Sequence, residues 1–349
     1  MNLQLQHSKI INQQPTIKIT GSKSETNRLL LLQALYPNLV LDNTSNSDDS
    51  EVMLQVLKDF QHSASSIQLF DVHHAGTAMR FLTAFFAIQE GKEIVITGSD
   101  RMKERPIEIL VAALNHLGAD ISYLENEGFP PIRIKGKKLT ENKVALPAHV
   151  SSQYISALLL IASNLENGLE LILDGEITSV PYIKMTLAFL NEIGIKTSFE
   201  KNLITVKSNK VLMDSKLITV ESDWSSASYW FSIVALSEIG TQISLSSYKQ
   251  NSLQGDSALV EIYKNFGVDT IFETNIIRLK KTTNCQLSTI NCQLNTCPDI
   301  AQTIAVTCFG LGISCQLTGL QTLKIKETDR LEALKTELTK LGTTISVTN

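Results

Sequence analysis

Residues 151–162 read SSQYISALLLIA, small polar residues running straight into an apolar, helix-like stretch. Four other stretches have the same form: SKSETNRLLLLQAL at 22–35, GTAMRFLTAFFA at 76–87, SSASYWFSIVAL at 225–236 and PDIAQTIAVTCFG at 298–310. Aligning Thr77, Ser152, Ser226 and Ile300 gives steps of 75, 74 and 74 residues. A second series keeps the same beat. Amphipathic stretches end in HLGAD, EIGIK, NFGVD and KLGTT, and their glycines, Gly118, Gly194, Gly267 and Gly342, are 76, 73 and 75 residues apart. A glycine just past a helix is the expected left-handed stop, because it has no Cβ to clash. Each stop leads into a β-like run, such as 121–124 or 195–199. The period is too long for an ordinary solenoid, whose repeats run about 20–45 residues, and suits a small βαβ-type unit repeated around an axis. Five units are present, the first shorter, with 53 residues from Ser24 to Thr77. Six units would divide evenly between two domains and five do not. The arithmetic therefore suggests a missing final unit, against the alternative of a protein with five repeats.

The rest of the chain agrees with two folded domains. It has 349 residues, more than one hydrophobic core of roughly 250–300 residues usually serves. Apolar residues make up 43% and charged residues 19%, which excludes wholesale disorder. The net charge of −4 argues against a protein that coats nucleic acid. No apolar signal-like region opens the chain, and no run approaches the roughly 20 residues of a membrane helix. The five Cys, at 285, 292, 297, 308 and 315, include no CxxC pair, so reduced structural thiols and a cytoplasmic location are expected. Metal-ligand spacings, GxGxxG, GxSxG and the P-loop are all absent, and no cofactor or metal is expected.

Arginine is the informative count. Only seven of the 31 basic residues are Arg, and Arg28, Arg80, Arg101, Arg105 and Arg330 all sit at or beside repeat starts or short turns. Helix starts with planar, bidentate cations nearby suit phosphate and carboxylate. GSKSETNR at 21–28 fits this, although a Ser-capped helix with exposed charges would look the same. KETDR at 326–330, if helical, puts Lys326 and Arg330 at i,i+4 and Glu327 between them on one face, a carboxylate placed to move a proton beside an anion. An ordinary salt-bridged helix start is the plainer reading. Asp299 looks like a helix cap, SSQY at 151–154 and SVPY at 179–182 like caps and turns, and His73-His74 like a surface turn that adjoins GTAMR.

In combination these segments are specific. GSKSETNR, AGTAMR, RMKERPIE, SSQYISALL, SVPYIKMTL, SDWSSASYW, LQGD, PDIAQTIA and IKETDR occur in one order, and from about residue 15 onward the chain resembles the 5-enolpyruvylshikimate-3-phosphate (EPSP) synthase family. The resemblance implies an α/β (α+β) fold of two domains, each built from three βαβαββ units with helix N-termini toward the active site. By similarity, residues 21–222 form one domain, and residues 1–20 with 223–349 form the other. The family joins shikimate 3-phosphate to phosphoenolpyruvate without a cofactor: the 5-hydroxyl attacks C2 of the enol after C3 is protonated, and the tetrahedral adduct loses phosphate. These two small anions are the implied partners, with no nucleic acid or membrane and a monomeric state.

Carried over residue by residue, Lys23, Gly76, Arg105, Gln153 and Arg330 would meet phosphoenolpyruvate. Lys23, Ser24, Arg28, Ser151, Ser152, Gln153, Ser179, Tyr182, Asp299 and Lys326 would meet shikimate 3-phosphate. Glu327, Lys23 and Asp299 would move protons. His74, Phe81 and Thr322 depart from the residues usual in the family, an Asn, a Pro and an Asn. Gly76 matches the pattern sensitive to glyphosate. A family motif of the AspHisArgMet type and a later Lys are not found, so the resemblance implies an incomplete second domain with exposed apolar surface, and weak or absent turnover by these 349 residues. The alternatives are a noncatalytic remnant of the same fold, and an enolpyruvyl transferase acting on UDP-N-acetylglucosamine. The latter would use a Cys in its first half, where this chain has none.

Overall fold

The structure, a computed structural model, describes residues 16–62, 65–148, 150–177, 180–209, 214–326 and 328–348. Two compact units emerge. One is Thr20–Val220; the other joins the N-terminal segment through Ile19 to Glu221–Asn349.

In Thr20–Val220 the helices Lys23–Leu35, Gly76–Ala87 and Ser152–Ala162 pack on one another in the middle. Every residue of Gly76–Ala87 is buried, and so are nine of the eleven in Ser152–Ala162. A helix apolar on all sides is stable only when enclosed on all sides, and sheets and outer helices supply the enclosure. Strands Ile67–Asp71, Glu93–Thr97, Ile132–Lys135 and Asp120–Tyr123 form one sheet in that order, the first pair parallel and the others antiparallel. Strands Lys143–Pro147, Leu169–Asp174, Leu203–Val206 and Thr197–Glu200 repeat the order and directions. The outer helices Asp48–His62, Glu108–His116 and Val180–Glu192 complete three βα layers. The first repeat is short because it contains no hairpin of its own. Its strand Leu39–Asp42 pairs in parallel with Lys216–Thr219, which the chain reaches only after both other repeats.

The other unit uses the same plan. Strands Gln242–Ser246, Ile276–Lys281 and Val268–Glu273 form an antiparallel sheet, and Ile17 bridges Leu245 in parallel at its edge, so the N-terminal segment takes the first-strand position. Strands Thr289–Gln293 and Ser314–Thr318 form a parallel pair. Asp223 caps helix Trp224–Ala235 by accepting from the Ser226 N–H at 2.7 Å. The four glycine stops all adopt positive φ, between 77° at Gly267 and 105° at Gly118, as the spacing predicts. After Gly342, however, residues 343–348 form no strand: β-propensity needs a pairing edge, and among the described residues none pairs there. Tyr229, Ile233 and Leu236 beside helix Trp224–Ala235, with Val306 and Phe309 on helix Ala301–Leu311, stand open to solvent where the two helices pack together.

Lys281 is the surprise of this unit. Its side chain is 1% exposed, and its ammonium donates to the carbonyls of Ala235 at 2.6 Å and Phe266 at 2.7 Å. A cation at the carbonyl ends of two helices satisfies acceptors that helices cannot satisfy internally. Replacing it by a similar-sized apolar residue leaves both carbonyls buried without a donor. Lys281→Met is expected to lower unfolding free energy by about 2–4 kcal/mol, measured by urea denaturation, with no change in far-ultraviolet circular dichroism of the folded protein.

Candidate active site

In the unit Thr20–Val220, the first turns of four helices meet. Lys23, first residue of its helix, lies 4.0 Å from the carboxylate of Asp49, second residue of the next. The other Asp49 oxygen accepts from the Thr77 backbone N–H at 3.3 Å. The Thr77 hydroxyl accepts from the Gln153 side-chain amide at 3.2 Å, and the Ser151 hydroxyl caps that helix by accepting from the Gln153 N–H at 3.3 Å. Free N–H groups and the positive ends of helix dipoles thus gather at one place, which favours anions. Lys23 keeps 40% of its side chain exposed. Ser24 and Ser152 occupy adjacent first-turn positions and are half-buried.

Arg105 lies against Gly76. A Cβ built on Gly76 would stand 2.6 Å from both terminal nitrogens of Arg105, and one of these nitrogens donates to the His74 carbonyl at 3.5 Å. Gly76 therefore permits a close approach, and the group that takes the space is the Arg105 guanidinium. Arg80 holds this corner together from below. It is 3% exposed and donates to the carbonyls of Gly76 at 3.2 Å and Pro106 at 2.9 Å, while the Tyr154 hydroxyl donates to Pro106 at 2.6 Å. Burial, and then the nearby Arg105 charge, push the Arg80 pKa down to about 10. His73 and His74 form the exposed turn that the sequence suggests, with His73 at φ 48°. They line a depression of about 450 Å³ that also takes in Asp48, Ala75 and Ser99.

Arg28 and Glu25 overturn the picture of a capped helix with exposed charges: both are 2% exposed, and the Ser22 side chain makes no capping bond. The Arg28 guanidinium donates to Thr186 Oγ1 at 2.8 Å, Ser156 Oγ at 2.9 Å and the Ser24 carbonyl at 2.7 Å. Tyr182, half-buried on the same side, offers its carbonyl at 3.5 Å and its ring at 5.7 Å. Burial pushes the Arg28 pKa down to about 10, against the pull of Tyr182 and Glu25. Ser179 lies outside the described residues.

A separate cationic group sits in the other unit. KETDR is not a helix: Lys326 is extended, Asp329 caps by accepting from the N–H groups of Leu331 and Glu332, and the helix begins at Arg330. An Asp at 329 competes for the backbone donors and sets the start there. The carboxylate between two cations is consequently Asp299, with Arg330 at 2.9 Å and Lys326 at 3.4 Å. Asp299 makes these pairs rather than a helix cap. Glu327 lies outside the described residues.

Sequence reasoning passed over Asp49, Thr77 and Asp256. Asp49 had a readable signal, an acidic pair in SDDS just before a periodic stretch. Asp256 ends the LQGD segment quoted for the resemblance, but nothing in its local spacing marks it as buried. It is 6% exposed, takes a hydrogen bond from the Ser225 hydroxyl, and leaves Oδ1 without a partner among the described residues. Burial raises its carboxyl to about 7; Ser225 opposes the rise, while Asp299 and Asp223 add to it. Among the described residues no group of three or more His, Cys, Asp or Glu is placed to hold a metal. No helix there is long and apolar enough to cross a membrane.

Repeated βα layers with helix N-termini gathered beside Lys23 and Arg105 make a site whose electrostatics suit small anions. The chain belongs to the EPSP synthase (3-phosphoshikimate 1-carboxyvinyltransferase) family, whose profile matches residues 8–349. The 3-phosphoshikimate 1-carboxyvinyltransferase of Bacteroides fragilis (strain YCH46) is 46% identical over 333 residues, covering 94% of this chain and 78% of the relative. That of Haemophilus influenzae (strain PittEE) is 37% identical over 353 residues, covering 94% of this chain and 80% of the relative. The solved EPSP synthase of Acinetobacter baumannii shares the fold, with TM-score 0.72 at 20% identity over 93% of this chain and 78% of that one. Family membership assigns the chain to enolpyruvyl transfer in the shikimate pathway to chorismate and the aromatic amino acids, a transferase of class EC 2.5.1.19.

The buried Asp256 carboxyl makes a testable difference. Its folded pKa lies above the unfolded value of about 4, so the folded state keeps a proton that the unfolded state gives up, and stability falls as pH rises from about 4 to 7. Asp256→Asn removes that loss. The variant is expected to gain on its parent by up to about 1.4 kcal/mol per pH unit across this window, measured by denaturant unfolding at pH 4, 5, 6 and 7.

Proposed function

We propose that these residues carry the family reaction in this chain, with residues 21–222 as the shikimate 3-phosphate side. The observation that carries the reading is the hydrogen-bonded meeting of helix N-terminal turns at Lys23, Asp49, Thr77 and Gln153, with Arg105 laid across Gly76. Lys23, Arg105, Gln153 and Arg330 hold the phosphate and carboxylate of phosphoenolpyruvate, and Gly76 leaves room for them. Ser24, Arg28, Ser151, Ser152, Gln153, Ser179, Tyr182, Asp299 and Lys326 hold shikimate 3-phosphate. Catalysis then rests on positioning two anions and on neutralising charge as it develops. Glu327 moves the proton on C3, and Lys23 and Asp299 serve the attacking hydroxyl and the departing phosphate. Asp299 suits the role by its place, with Arg330 at 2.9 Å and Lys326 at 3.4 Å from its carboxylate. The reading extends to a monomer working in the cytoplasm, in keeping with five free thiols.

Lys23→Met and Asp299→Asn are each expected to lower kcat by about 10²–10⁴-fold, measured as phosphate release from the two substrates. Shikimate 3-phosphate should still be detected calorimetrically with Asp299→Asn. Parent-like turnover by both variants would sink the assignment. Gly76→Ala pushes the Arg105 guanidinium aside, and the KM for phosphoenolpyruvate should rise about tenfold to a hundredfold from one weakened charge-assisted contact. An unchanged KM would show that Arg105 does not hold that substrate.

A further inference from the structure

Among the described residues the Arg28 guanidinium is the point where four helices meet, and one of its neighbours belongs to no part of the site above. Its hydrogen bonds tie helix Lys23–Leu35 to Ser156 on helix Ser152–Ala162 and to Thr186 on helix Val180–Glu192. The fourth helix, Gly76–Ala87, contributes only the face of Phe81, whose ring centroid lies 5.4 Å from Arg28 Cζ. Tyr182 lies against the same guanidinium at 5.7 Å. Phe81 is fully buried and Tyr182 half-buried, so one ring closes the cation in from the core and the other from the solvent side.

Phe81 differs from the other aromatics of its helix. Phe85 and Phe86 stack with Phe60 and Phe70 in an aromatic cluster, whereas the ring of Phe81 has Arg28 as its polar partner and, among the described residues, no aromatic one. A cation over a ring face in a desolvated place is attracted by the ring quadrupole, and the attraction depends on orientation. Hydroxyl and carbonyl oxygens hold the guanidinium nitrogens, and the centroids of the two rings lie 5.4 and 5.7 Å from its central carbon. An aliphatic side chain of equal volume would fill the space without that second constraint.

We infer that Phe81 is a positioning residue for shikimate 3-phosphate binding, acting through Arg28 by holding its guanidinium between the core and Tyr182. The inference rests on the assignment of Arg28 to the shikimate 3-phosphate site, and it adds a residue that touches no substrate. Arg28 alone has enough torsions to swing. With Phe81 in place it does not have to be ordered when the ligand arrives, so the ordering is already complete before binding.

The test is calorimetric titration of shikimate 3-phosphate into the 349-residue chain and four variants: Phe81→Met, Arg28→Met, the double variant, and Phe86→Met. Phe86 is a buried control on the same helix, and its ring stacks on Phe70. Phe81→Met is expected to raise the Kd about three- to thirtyfold, the range that a desolvated cation–ring contact spans. Phe86→Met should lower Tm by a similar amount and leave the Kd alone. In the Arg28→Met background, adding Phe81→Met should change the Kd by less than about twofold, because distant effects add and coupled ones do not. If Phe81→Met does not fold, the smaller Phe81→Leu takes its place in the same cycle. A parent-like Kd for the Phe81 variant overturns the inference, and so does an undiminished loss when Arg28 is already gone. Loss of binding by Arg28→Met alone, with Phe81→Met unaffected, removes only Phe81's role. Parent-like binding by Arg28→Met removes the assignment beneath it as well.

Discussion

Enclosure of helices that are apolar on every side is the constraint on which the rest depends. Gly76–Ala87 and Ser152–Ala162 have no polar face to offer solvent, so they must lie in the middle of the layers with other elements all around. Once such helices run side by side, only their ends reach the surface. Their first-turn N–H groups, which no helix can satisfy itself, come out together. Small residues at the starts, Gly76, Ser151 and Ser152, keep those ends open, and Asp49 and Gln153 stitch one end to the next. An anion site follows from how the core is packed before any residue is chosen for chemistry.

The charges buried in this chain extend the same principle. Arg28, Arg80 and Lys281 are each almost fully enclosed, and each donates to oxygen acceptors, six of them backbone carbonyls: Ser24 and Tyr182 for Arg28, Gly76 and Pro106 for Arg80, Ala235 and Phe266 for Lys281. A buried cation without such partners would be expelled or neutralised. With them, Arg80 locks the Gly76 and Pro106 carbonyls and so fixes the corner from which Arg105 projects, and Lys281 closes the carbonyl ends of two helices. Asp256 is the opposite case. It keeps one oxygen without a partner among the described residues, and burial favours its neutral form near Asp299. Positive charge is thus held firmly beneath the sites, while the acid group remains the adjustable one.

Much of this was legible along the chain, for identifiable reasons. A fixed period near 75 residues survives in one dimension, so the repeated unit and the left-handed glycine stops could be read from spacing, whereas of the cap-like starts Ser151 caps its helix and Ser22 does not. Motif order pointed to the family before any contact was known. Burial of individual charges was not legible. GSKSETNR looks solvated because its residues are polar, yet Thr186 and Ser156, more than a hundred positions away, enclose Arg28. KETDR scans as a helix by i,i+4 spacing, but the Asp329 cap starts the helix later, and Lys326 reaches Asp299 from an extended backbone.

The sequence alone determined the repeat, the glycine stops, and the inventory of arginines and lysines at the repeat starts, because all of these depend on residues close together in the chain. Only the tertiary structure decided which acid stands between which cations, which arginines face the core, and that Leu39–Asp42 takes its partner from Lys216–Thr219. The reason is that electrostatic and packing energies depend on distance in space and on exclusion of water. Neither can be computed from a spacing until the layers have closed around it.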